Sequence, residues 1–117
     1  MNIKLQPIEV VRDDYGFFYH PEYYSNLEAL LMNRESPTAE EWAKLQKDLG
    51  ITISHKWLED DASAEIRDLY FDGNVEACAL WNPSKPDSQN DWFIISIHDT
   101  EDGPICLWAK PVNGDTQ

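Results

Sequence analysis

Two apolar runs, residues 92–98 (WFIISIH) and 104–110 (PICLWAK), flank the polar pentapeptide DTEDG at 99–103. No other stretch constrains the fold as much. Successive residues of a strand face opposite sides, and a five-residue connection is short enough for an antiparallel hairpin, with Gly103 free to take positive φ. Phe93, Ile95 and Ile97 are then expected to face one way, and Trp92, Ile94, Ser96 and His98 the other. The run at 75–81 (VEACALW) reads as a further strand, joined to 92–98 by a loop with two prolines.

The first half of the chain adds helices. Residues 3–5 and 8–12 read as extended, 13–16 (DDYG) as a turn and 17–20 (FFYH) as a returning strand. Ser25 and Glu28 have the spacing of a capping box ahead of Leu27, Leu30 and Leu31. The clearest helix is ESPTAEEWAKLQKDLG (35–50). Ser36 or Thr38 caps it, Pro37 suits its first position and Gly50 suits the position past its end. Ala39, Trp42, Leu45 and Leu49 make a buried stripe, and Glu40 stands one turn before Lys44. Residues 51–55 read as a short strand. Residues 59–72 fit either a helix burying Ala62, Ile66, Leu69 and Tyr70 or a hairpin turning at Asp72–Gly73; the apolar spacing favours the helix. The whole is expected to be one α+β domain over residues 1–117: an antiparallel meander of three to five strands, with two or three helices packed on one face.

The hairpin turn raises a chemical question, because His98 stands beside Asp99, Glu101 and Asp102. Such a mixed set suits manganese or iron better than zinc. A five-residue turn seldom wraps an ion by itself, however, and the sequence contains no HxH, HExxH or calcium-loop pattern. Asp, Thr and Gly are ordinary turn formers. The segment reads as a turn, with no metal, no cofactor and no catalytic residue assigned. A Gly-rich phosphate loop and a GxSxG elbow are also missing from the sequence. Cys78 and Cys106, each in an apolar run, read as inert reduced thiols.

Charge is the other strong signal. The chain has 22 acidic against 9 basic residues, a formal net charge of −13, where a magnitude of ~2–8 keeps a small domain soluble. Such a surface repels nucleic acid and anionic membrane and attracts basic proteins. No run approaches the length of a membrane span, and residues 1–20 lack the pattern of a signal peptide, so a cytoplasmic location is expected. On the helical reading of 59–72, Asp61, Glu65, Asp68 and Asp72 follow one face at about 4.5–6 Å intervals, comparable with phosphate spacing along a nucleic-acid strand. Asp60 extends the row. The alternative is a plain solvated helix face. On the sheet face opposite the expected core lie Trp92, Ile94, Trp108, Cys106 and Cys78. That face needs a cover, from the N-terminal strands, from a second copy as a homodimer, or from another protein anchored on Trp92 and Trp108.

The segment CALWNPSKPDSQNDWFIISIHDTEDGPICLWAKP (78–111) resembles the C-terminal regions of small accessory proteins encoded in phage and prophage regions. That likeness carries no functional residue. In size and charge the chain is similar to phage anti-restriction and anti-CRISPR proteins, which implies a kind of partner, a basic nucleic-acid-binding protein. Together these lead to the expectation of a non-enzymatic inhibitor that binds such a protein, with no direct contact to nucleic acid or membrane. Asp60, Asp61, Glu65, Asp68 and Asp72 would stand in for phosphates, and Trp92 and Trp108 would anchor. The alternative is an interaction or assembly module whose acidity only solubilises it; a metal-dependent enzyme built on His98 is the third reading.

Overall fold

The hairpin forms the centre of a four-stranded sheet. In the computed structural model, which describes residues 5–74, 76–88 and 91–112, β1 is Phe18–Tyr19, β2 Ile51–Trp57, β3 Phe93–Thr100 and β4 Gly103–Pro111. Their order is β1-β3-β4-β2, with every neighbouring pair antiparallel. The hairpin strands run further into the polar segment than expected. Thr100 pairs with Gly103, so only Glu101 and Asp102 form the turn. Thr100 Oγ1 donates to the Gly103 carbonyl (2.8 Å) and accepts from the Asp102 N–H (3.0 Å). Gly103 takes φ 112°, as its lack of a side chain allows.

A register shift between Ile94 and Ser96 corrects the expected sidedness of β3. Alternation survives only while both strands advance together; one extra residue reverses it downstream. Phe93 and Ile95 share a core with Leu107 and Ala109. Ile97, expected to join them, instead packs with Cys106, Trp92, Trp108 and Ile94 on the other face.

The first face is covered by α1 (Pro21–Leu31) and α2 (Ala39–Leu49). Tyr23, Leu45 and Leu49 bury against the sheet, with Leu27, Leu30 and Trp42 beside them. Helix α1 starts before the expected Ser25, because His20 caps it and Pro21 fits its first turn. The His20 Nδ1 accepts from the Glu22 N–H (3.2 Å), leaving Nε2 to donate to the Gln6 carbonyl (2.6 Å). Helix α2 has a reciprocal capping box between Thr38 and Glu41, and Gly50 closes it at φ 67°. Pro37 lies just outside the helix, Ala39 is exposed, and Lys44 pairs with Asp48 (2.6 Å) rather than with Glu40.

The second face is covered too, by α3 (Leu58–Asp61), α4 (Ala64–Phe71) and α5 (Ala77–Leu80). Leu58, Cys78, Trp81, Trp92, Ile97, Cys106 and Trp108 form its core. The α+β class with helices on an antiparallel sheet therefore holds, while the cover extends to both faces rather than one. Helix α5 replaces much of the strand expected at 75–81. A short apolar run does not by itself separate a strand from a buried helix, and here Ala and Leu favour the helix. The expectations for residues 3–4 and for Val75 lie outside the described residues. The segment 8–12 is not a strand; it ends at Arg12, whose guanidinium donates to the carbonyls of Gly16 (2.8 Å), Trp81 (2.7 Å) and Cys78 (2.6 Å).

Candidate functional site

The expected acidic row does not form as a single helix face. Residues 59–72 are helical, as favoured, but Ala62 and Ser63 adopt extended backbone and divide α3 from α4. Ser63 caps the second helix, its Oγ accepting from the Ile66 N–H (3.4 Å); a serine that can bond nearby backbone favours such a break. Asp61 turns inward, accepting from Trp81 Nε1 (3.0 Å) and from the Ser84 N–H (2.8 Å). Asp60, Glu65, Asp68 and Asp72 stay exposed.

Trp92 and Trp108 are 8% and 6% exposed, so the face expected to need a partner is closed by the chain's own α3–α5 segment and Trp81. Lys110 Nζ lies 5.2 Å from the centroid of the Trp92 ring. The Nε1 groups of Trp92 and Trp108 are buried without a hydrogen-bond acceptor among the described residues.

A cleft of about 650 Å³ lies between α4 and the β3–β4 turn. Tyr15 and Phe17 form one part of its lining and Tyr70 and Phe71 another; Glu59, Asp99, Glu101 and Asp102 add four carboxylates. Among the described residues no lysine or arginine lines it. Its volume falls within the range common for ligand sites, about 300–1,000 Å³.

Local structure holds these side chains in place. Asp13 Oδ1 accepts from the N–H groups of Tyr15 and Phe17 (2.9 Å each), an Asx-type turn. Gly16, at φ 86°, lies so close to α5 that an added Cβ would stand 2.5 Å from the Ala79 Cα. The loop bearing Tyr15 and Phe17 is thus pressed onto α5 and tied there by Arg12. The rings of Tyr15 and Phe17 are 6.0 Å apart, and those of Tyr70 and Phe71 5.6 Å. The Tyr70 hydroxyl lies 3.4 Å from where a Gly103 Cβ would be, so α4 reaches over the turn through this ring. Burial raises the Tyr70 phenol above its ordinary pKa, with Asp99 and Glu59 adding to the shift.

The polar segment at 98–103 is divided by the pleat. Asp99 lines the cleft, whereas His98 stacks on Tyr19 with centroids 5.9 Å apart, and its Nδ1 is 2.7 Å from Ser96 Oγ. Burial lowers the His98 pKa, and Asp99 opposes that shift. Ser96 has no exposed surface, whereas His98 is partly exposed. Among the described residues no group of three or more His, Cys, Asp or Glu is placed to hold a metal ion, and no helix is long and apolar enough to cross a membrane.

The carboxylates of the turn were visible in the sequence; the aromatic lining was not read as a site. Its signal lay in YGFF at 15–18 and LYF at 69–71, aromatic clusters beside Asp-rich turns. Comparison with protein-family models, curated proteins and solved structures gives no match.

Proposed function

We propose that this protein is a non-enzymatic modulator that binds a basic, nucleic-acid-binding protein in the cytoplasm and keeps nucleic acid from it. The observation that carries this reading is the convergence of Glu59, Asp99, Glu101 and Asp102 on one cleft that has aromatic walls and no basic lining residue. Exposed Asp60, Glu65, Asp68 and Asp72 continue the acidic surface along α3 and α4. Carboxylates gathered around one cleft are complementary to a surface built for phosphates, and their field accelerates encounter with a basic partner. A counter-defence role, expected from the sequence of residues 78–111, is part of this proposal. Two buried free thiols suit a reducing compartment. The role proposed for Trp92 and Trp108 is internal, as the floor that positions the α3–α5 segment.

The test is affinity capture from nuclease-treated bacterial lysate, with washes of rising salt. Basic nucleic-acid-binding proteins should be retained, leave as salt rises, and be displaced by added duplex DNA. A variant with Glu65, Asp68 and Asp72 all changed to Lys should retain none of them. Capture that ignores both salt and DNA would overturn the reading.

A further inference from the structure

We infer that the cleft between α4 and the β3–β4 turn is a guanidinium site, entered by one arginine side chain of the basic partner. The inference rests on the reading above for the identity of the partner, but not for the chemistry of the cleft.

The lining combines two features that few ligands satisfy together. Aromatic rings offer negative π faces, and carboxylates supply full negative charge. A neutral apolar ligand would meet four carboxylates, and an anion would be repelled by them. A cation is attracted by both. Among protein cations, arginine fits better than lysine. Its guanidinium is planar, stacks on rings, sheds water more readily than an ammonium and pairs with a carboxylate through two parallel N–H donors.

The surroundings give a second, separate argument. Tyr15 and Phe71 are 55% and 63% exposed, large rings with apolar area open to solvent at the cleft. Helix α4 has no basic residue in its last turn, and Asp72 forms its C-cap. A carboxylate there opposes the negative end of the helix. Asp72 itself lies outside the lining of the cleft; the exposed rings are what a flat bound cation would cover.

The experiment is an aromatic-resonance NMR titration of the full chain with three capped tripeptides, Ac-Gly-Arg-Gly-NH2 and its Lys and citrulline counterparts. The arginine peptide should shift Tyr15, Phe17, Tyr70 and Phe71 saturably and bind at least about threefold more tightly than the lysine peptide. Citrulline, isosteric but neutral, should not bind. Changing Glu101→Gln and Asp102→Asn together should weaken the arginine peptide about tenfold. Glu40→Gln, an exposed carboxylate of α2 that does not line the cleft, serves as the folding control and should leave binding within about twofold of the parent. Equal binding of citrulline, or no saturable shift at these rings, would overturn the inference. Free arginine binding more tightly than the capped peptide would overturn it in favour of a small-molecule site. If the lysate test succeeds while the tripeptide test fails, the guanidinium site falls and the proposed function stands. The reverse pair of results leaves the site and removes the partner.

Discussion

His98 is the residue whose behaviour departs most from what its neighbours in sequence suggest. Beside Asp99 it invites the expectation of a raised pKa, yet burial lowers it below the ordinary value of 6.5. The sign of the linkage follows. Below about pH 6.5 the unfolded chain takes up a proton that the folded chain refuses, so stability falls with pH until the lower, folded pKa is passed. Urea midpoints should therefore decline through this window in the parent protein. The decline should be smaller in His98→Gln, and an NMR titration should place the imidazole midpoint below 6.5; a midpoint above it would contradict the burial argument. Sequence alone could not show this, because an inserted residue in β3 decides which face the imidazole takes. Arg12 was hidden for another reason. Its three acceptors are backbone carbonyls, and carbonyls leave no signature in the identity of a residue.

The elements divide by the kind of signal that specifies them. Helix α2 and the β3–β4 hairpin were legible because capping, periodicity and turn chemistry agree along a continuous stretch. Helix α5 was not, since its few apolar residues fit either period. The two halves of 59–72 were legible as helix; Ser63, which caps the second half, was the local signal for the break, whereas the bonds of Asp61 to Trp81 and Ser84 join residues far apart in sequence. The cleft was least legible of all: its walls come from the loop at 13–17, from α4 and from the hairpin turn, which only the fold assembles. Substitutions at the two caps should move stability in opposite directions. Thr38→Ala removes the cap of α2 and should cost about 1 kcal/mol. Asp72→Asn removes a charge from the unfavourable end of α4 and should add about 0.3–1 kcal/mol at low ionic strength. Urea denaturation of both variants checks this, and a destabilised Asp72→Asn would mean that the carboxylate has a structural partner.

At the scale of the whole molecule, the net charge of −13 makes self-repulsion a general term. Among the described residues the ion pairs are Arg34–Glu41 (2.7 Å) and Lys44–Asp48 (2.6 Å), both beside α2. Neither lies near the cleft. Adding salt therefore screens much repulsion and little attraction. The melting temperature should rise from low salt to about 0.15 M NaCl, where the Debye length is about 8 Å. A fall over that range would show that attractive pairs dominate. The same screening should weaken capture of a basic partner, so stability and binding respond to salt with opposite sign.

The tie made by Arg12 bears on how the chain matures during synthesis. Its distant acceptors lie 66 and 69 residues downstream, Leu5 donates its N–H to the carbonyl of Leu49, and β1 waits for Ile97 before it has a neighbour. The segment 5–19 is thus among the last of the described residues to find its place. Until β3 has been made, this segment lacks its partners and stays open to proteases and chaperones.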